Sequence, residues 1–220
     1  FDASSHKHAA MIAAALYSLG AVPLITLNNG VKMPAVAAGT WCAAPHHPTC
    51  TPCPPPAEPW SLHRQYDAAT SQQSVASALS VGFTHIDTAH DYCADGTTGS
   101  CKTGSTQVGI AKAIAGVARD SLFITTKVPG CGKQGIGRAT CAADSLAAAE
   151  ANLRELNTSY VDLLLVHFPP MGGCGALNCP VIQSQWAALE SFYAQKKAKS
   201  IGVSNFCVSC LDCLAKNASA

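Results

Sequence analysis

Four side chains with acid–base capacity stand where apolar runs of the sequence end. Asp87 closes Phe83-Thr84-His85-Ile86-Asp87, Tyr92 follows it in the next loop, Lys127 lies at the end of the run from Leu122 to Val128, and His167 lies at the end of the run from Val161 to Phe168. A lone buried Asp or Lys is costly, because each must be paired or neutralised. Together they satisfy one another: Asp87 holds Lys127 charged, and the ammonium favours the phenolate of Tyr92. A free Tyr, with a pKa of about 10, is a poor acid at neutral pH, and an adjacent cation is expected to lower that value. A Tyr tuned in this way donates a proton to a carbonyl oxygen as hydride reaches the carbon, while His167 orients the oxygen by a hydrogen bond. Taken singly, each residue reads more readily as an ion pair or a cap. The set at matching positions is what points to chemistry.

The elements that must position these residues alternate. Apolar, β-rich runs at Phe83 to Ala89, Leu122 to Val128, Val161 to Phe168 and Ser200 to Phe206 read as strands covered on both faces. Between them, Val75, Ala78 and Leu79; Val108, Ala111 and Ile114; Leu146, Ala149, Leu153 and Leu156; and Ile182, Trp186, Leu189 and Tyr193 recur at helical spacing. Strand followed by helix implies parallel strands with crossover helices. Earlier, Leu24 to Leu27 and Val31 to Met33 flank Asn28-Asn29-Gly30, a tight hairpin turn ending at Pro34, and Val36 to Trp41 supplies a further short strand. No G-x-G-x-x-G follows the first strand, and polar residues collect at the carboxyl ends of several strands. Both features favour a barrel over an open dinucleotide-binding sheet. The expected fold is α/β, of (β/α)8 TIM-barrel type, with about five parallel strands counted in this chain after the hairpin. A closed barrel needs eight.

Composition narrows the classes of partner. With 220 residues, 14 Lys and Arg against 13 Asp and Glu, and 12 % charged residues, the chain carries no basic excess that would suit nucleic acid. The apolar stretch from Ala9 to Ile25, preceded by His6, Lys7 and His8 and broken by Pro23, is a poor membrane span and reads either as a targeting remnant or as an ordinary N-terminal helix, so residues 1–23 are taken as an extension or targeting remnant and 24–220 as the barrel domain. The 12 cysteines exceed ordinary usage and favour an oxidising, secretory or organellar setting. Close loop pairs such as Cys93 with Cys101 and Cys174 with Cys179 could form disulfides, although spacing does not settle connectivity. Cys50-Thr51-Pro52-Cys53 and the triad Cys207, Cys210 and Cys213 have spacings that also occur in metal sites, but without a fourth ligand disulfide or buried-thiol roles are preferred. His46 and His47 have no nearby third ligand, and no metal site is assigned. Lys196, Lys197 and Lys199 at a helix end are expected to serve the helix dipole.

Several segments, in order, resemble the aldo-keto reductase family: Leu27-Asn28-Asn29-Gly30-Val31-Lys32-Met33-Pro34 with Gly39-Thr40-Trp41, His85-Ile86-Asp87-Thr88-Ala89 through Tyr92, Phe123-Ile124-Thr125-Thr126-Lys127, Val161-Asp162-Leu163-Leu164-Leu165-Val166-His167, and Gly202-Val203-Ser204-Asn205-Phe206. The resemblance implies a barrel that uses NADPH or NADH to reduce an aldehyde or ketone. It implies a catalytic set of Asp87, Tyr92, Lys127 and His167 with Tyr92 as proton donor. Ser204 and Asn205 would hold the nicotinamide carboxamide, Thr40 and Asp87 would lie near its ribose, and Trp41, His167 and Phe168 would line the pocket of a small carbonyl substrate. The sequence departs from the family pattern in places: Gln107 stands where Glu is usual, Phe168 stands where Trp often follows the His, and the loops at Ala43 to Pro59 and Cys93 to Cys101 are long. The family's last three strands, with its aromatic platform and 2′-phosphate loop, have no counterpart in these 220 residues. A second reading is therefore a non-catalytic, reductase-derived subunit, whose open barrel edge a protein partner would cover.

Overall fold

Asn-Asn-Gly is a turn because its last residue must take a backbone conformation that side chains disfavour, and Gly30 does so with φ 87°. In the computed structural model, which describes residues 22–41, 66–92, 104–132, 136–175, 177–216 and 218–219, this turn joins β1 (Leu24–Thr26) to β2 (Lys32–Pro34). The pair is antiparallel, with Ile25 opposite Met33. Asn29 then donates to the Lys199 carbonyl at 2.9 Å, and the Pro34 carbonyl meets His85 Nδ1 at 2.9 Å. The hairpin is thereby pinned against the amino-terminal ends of strands that come later in the chain.

The remaining strands are β3 (Ala38–Gly39), β4 (His85–Asp87), β5 (Phe123–Val128), β6 (Leu163–Val166) and β7 (Ile201–Val203). They form one parallel sheet in sequence order, β3-β4-β5-β6-β7. The crossovers are α1 (Ala68–Ser80) with α2 (Thr106–Ala113), α3 (Cys141–Glu155) and α4 (Cys179–Ala194), and α5 (Val208–Ala215) follows β7. α1 begins where Asp67 accepts from the Thr70 amide, and α2 where Ser105 accepts from the Val108 amide, each satisfying an orphan donor. The architecture is the α/β barrel type expected. The ordered pairing is shorter than several apolar runs suggest, most of all at β3, an edge of the sheet in which two residues pair.

Alternation sorts the strand side chains. Ile86, Ile124, Val128, Leu164 and Val166 face the helices and join Val75, Ile110, Leu153 and Leu189 in one buried core. The alternate residues, His85 and Asp87 on β4 and Thr125 and Lys127 on β5, share the opposite face. His85 bridges to Thr125 Oγ1 at 2.9 Å there, and burial holds its imidazole below the ordinary value. β5, in the middle of the sheet, is buried throughout. The contact of α2 with α1 needs a residue without a side chain, because a Cβ on Gly109 would lie 2.1 Å from the Ala68 carbonyl oxygen and from Ser71 Oγ.

Disulfides bind the later elements. Cys131 is bonded to Cys141, Cys174 to Cys210 and Cys179 to Cys213. Cys174 and Cys179, one of the possible loop pairs, are not bonded to each other. Both residues instead reach across to α5, whose Cys210 and Cys213 lie nearly one turn apart and meet them in parallel. Cys210 and Cys213 are consequently not thiolates for a metal. Lys197 pairs with Glu150, and Lys199 reaches Asp162 at 2.9 Å, so these cations serve carboxylates. Residues 1–21 of the 1–23 extension, the pairs Cys93/Cys101 and Cys50/Cys53, and His46 and His47 lie outside the described residues. Among the described residues no helix is long and apolar enough to cross a membrane.

Candidate active site

Each residue of the candidate set reaches the same mouth because parallel strands place their carboxyl ends side by side. Asp87 ends β4 and Lys127 lies one position before the end of β5, both on the face turned away from the helices. Lys127 Nζ donates to Asp87 Oδ1 at 2.6 Å and to the Thr88 carbonyl at 2.9 Å, with its own side chain 7 % exposed and that of Asp87 35 %. Its third contact is the Tyr92 hydroxyl at 3.5 Å. His167 follows β6, its amide bonded to the Val128 carbonyl at 2.9 Å, and its ring meets that of Tyr92 edge-on with centroids 5.6 Å apart. Asp87, Tyr92, Lys127 and His167 are thus brought together from three strand ends.

The electrostatics differ from the expectation in one respect. The Tyr92 phenol is pushed up, first by burial and then by the charges of Asp87 and Asp91, where a neighbouring cation was expected to bring it down. Two anions lie close to the ring, and the Lys127 ammonium makes its short contacts with Asp87 and Thr88. Tyr92 is therefore held as a protonated phenol across the neutral range.

Asp91 is a site residue that the sequence reading missed. Both its carboxylate oxygens accept from His167 Nδ1, at 2.8 and 3.0 Å, and both side chains are almost fully buried. The bond fixes the ring and reserves Nε2 for the open side. The only signal in the sequence was an acid immediately before Tyr92, and adjacency gives no direction to a side chain in a loop.

The residues assigned to the cofactor and the pocket also gather here. Thr40 is buried and its hydroxyl donates to the Asp87 carbonyl at 3.0 Å. Ser204 and Asn205 follow β7. Asn205 takes φ 61°, and its Nδ2 donates to the His167 carbonyl at 2.8 Å and to Ser204 Oγ at 3.0 Å. These bonds leave the Asn205 amide oxygen and the Ser204 hydroxyl hydrogen directed elsewhere, one acceptor and one donor side by side. A primary carboxamide needs that complement. Trp41, 42 % exposed, stacks on Tyr92 at 6.4 Å, and Phe168 stacks on His167 at 4.1 Å, so Trp41, Tyr92, His167 and Phe168 form a continuous aromatic wall.

Residues 58–219 match the family model described as the aldo/keto reductase family. The chain belongs to the aldo/keto reductase family. Its relatives in that family include morphine 6-dehydrogenase of Pseudomonas putida, 34 % identical over 193 residues that make up 88 % of this chain and 50 % of the relative. The NADPH-dependent codeinone reductase 1-2 of Papaver somniferum is 30 % identical over 197 residues, 84 % of this chain and 50 % of that one. Among solved structures, an aldo/keto reductase from Brucella melitensis superposes with a TM-score of 0.65 at 29 % identity, covering 91 % of this chain and 59 % of that one. The chain spans about half the length of the curated relatives it matches. Gln107 is completely buried. It donates to Asn152 Oδ1 at 2.8 Å and Glu155 Oε2 at 2.9 Å and accepts from Thr126 Oγ1 at 2.8 Å. Asn152 in turn donates to the Lys127 carbonyl at 3.3 Å, so Gln107 braces the strand that carries Lys127.

Proposed function

We propose that this aldo/keto reductase chain carries the proton-transfer half of a nicotinamide-dependent reduction of an aldehyde or ketone, with Tyr92 as the proton donor. The observation that carries the reading is the buried Tyr92 hydroxyl, 3.5 Å from the Lys127 ammonium and beside the His167 ring, facing an aromatic wall open to solvent at Trp41. A carbonyl oxygen seated between Tyr92 and His167 Nε2 accepts a hydrogen bond from each in the ground state. As charge develops on that oxygen, the phenol proton moves to it, and the nearby Lys127 ammonium steadies the phenolate left behind. Asp87 holds the ammonium in place.

The donor set on the strand ends fits a nicotinamide nucleotide. Ser204 and Asn205 would hold the carboxamide, and Thr40 with the half-exposed Asp87 would lie at the ribose. NADPH or NADH supplies the hydride when bound. NADPH is the first choice because the poppy relative carries it in its name. The apolar wall of Trp41 and Phe168 favours a small aromatic or aliphatic carbonyl substrate. The disulfides among the described residues support a secretory or organellar location. No observation favours the alternative of a non-catalytic subunit.

The test is oxidation of NADPH by the chain in the presence of an aromatic aldehyde, with Tyr92→Phe as control. Loss of the phenol proton should lower turnover by about 10²–10⁴-fold while leaving aldehyde affinity within a few fold. A Tyr92→Phe protein as active as the parent would remove Tyr92 from the reaction.

A further inference from the structure

Cys207-Val208-Ser209-Cys210 opens α5, with Cys207 as the residue immediately before the helix. Cys207 is exposed and unbonded, whereas Cys210 is completely buried and bonded to Cys174. The Cys207 sulfur lies 3.4 Å from that of Cys210, and the sulfurs of Cys174, Cys207 and Cys210 all lie within 4.8 Å of one another. A thiol at van der Waals distance from one end of a disulfide is the starting arrangement for exchange, which proceeds by attack of a thiolate on one sulfur and departure of the other. We propose that Cys207 and the Cys174–Cys210 bridge form a thiol–disulfide exchange site, in which the bridge moves between Cys174–Cys210 and Cys207–Cys210.

The step balances internally. Cys207, as thiolate, forms a bond to Cys210 Sγ; the Cys174–Cys210 bond breaks; Cys174 leaves as thiolate and takes up the proton that Cys207 released. No external oxidant or reductant is consumed. The surroundings favour the attacking form: the Ser209 hydroxyl at 3.2 Å and the Cys210 amide hold the Cys207 thiol below its ordinary value. Cys213, one turn further on, stays bonded to Cys179, so α4 and α5 remain joined in both states. What changes is the loop between Phe168 and Cys179, which loses its tie to α5 when Cys174 is released. That loop leaves the aromatic wall at His167 and Phe168, so the bridge position would set how firmly one rim of the pocket is held. This consequence rests on the proposed reductase site; the exchange itself does not.

The experiment needs neither cofactor nor substrate. The full chain is incubated at neutral and at mildly alkaline pH, quenched in acid to stop exchange, labelled with N-ethylmaleimide, and digested without reduction for disulfide mapping by mass spectrometry. The expected result is label on Cys174 as well as Cys207, with a bridged Cys207–Cys210 peptide that forms faster at the higher pH. In Cys207→Ser the Cys174 label should fall to background. Cys174→Ser, exposed to oxidised glutathione, should form the Cys207–Cys210 bridge with release of two glutathione thiols. Label confined to Cys207 at every pH, Cys174 labelling that survives Cys207→Ser, or failure of Cys174→Ser to close the second bridge would each overturn the proposal.

Discussion

Replacing Asp91 with Asn separates charge from shape at the candidate site. In the parent, His167 Nδ1 donates to both Asp91 oxygens at 2.8 and 3.0 Å, and both side chains are almost fully buried. Asn retains an acceptor of the same size, so the imidazole keeps its orientation, but the bond is no longer charge-assisted. The difference between charge-assisted and neutral hydrogen bonds is on the order of 1 kcal/mol, and that is the expected loss in denaturant-measured stability. Asp91→Ala, which leaves Nδ1 buried without an acceptor, should cost about 2–3 kcal/mol. Asp91 is also one of the two anions that raise the Tyr92 phenol, after burial and Asp87. Removing its charge should therefore bring the Tyr92 pKa down towards the ordinary value of 10.0 without reaching it, since burial and Asp87 remain. The sign of the linked stability follows. A group raised on folding contributes stability that is complete below the unfolded pKa and is lost as pH rises through the folded one, so the parent should lose stability above a pH of about 10. That alkaline loss should be smaller in Asp91→Asn, where the two pKa values lie closer. Ultraviolet difference titration of phenolate, with Tyr92→Phe to assign the signal, reads the shift without any need for turnover. A Tyr92 signal that stays in place or moves upward in Asp91→Asn, or a stability loss equal to that of Asp91→Ala, would refute the reasoning.

Other outcomes follow from the same contacts. Asp162 is buried under Arg119 at 2.7 Å and Lys199 at 2.9 Å and accepts from the Ile124 amide at 2.9 Å, so Asp162→Ala should destabilise the chain by about 3 kcal/mol in denaturant unfolding. Gly109→Ala should cost at least 1–3 kcal/mol, about the range for overpacking, because the added methyl meets backbone and side-chain oxygens of α1; thermal unfolding checks it. Burial lowers the His85 pKa from 6.5, and a base lowered on folding contributes stability present above its unfolded value and lost as pH falls through the folded one. Stability should therefore decline below pH 6.5, and less steeply in His85→Gln, when urea midpoints are followed against pH.

Much of the site was legible because a parallel strand converts sequence position into place. Once Phe83 to Asp87, Leu122 to Val128 and Val161 to Phe168 are recognised as parallel strands, their carboxyl ends must meet, and Asp87, Lys127 and His167 meet with them. Tyr92 is carried along by the short loop after β4. The hairpin was equally plain, since Asn-Asn-Gly encodes its own turn. What alternation and turn chemistry do not encode is the direction of a side chain in a loop. Asp91 was therefore invisible, although it holds His167, and so was the balance around Tyr92: an adjacent Lys127 was expected to lower the phenol, whereas burial, Asp87 and Asp91 raise it. The cysteines show the same division. Their number and their place in loops were enough to expect disulfides, yet Cys174 and Cys179, five positions apart, joined α5 instead of each other. Local spacing determined which segments became strands, helices and turns, because those preferences are written in neighbouring residues. Only the packed structure decided which buried groups share a charge or a bond, because that depends on distances between residues that the chain itself places far apart.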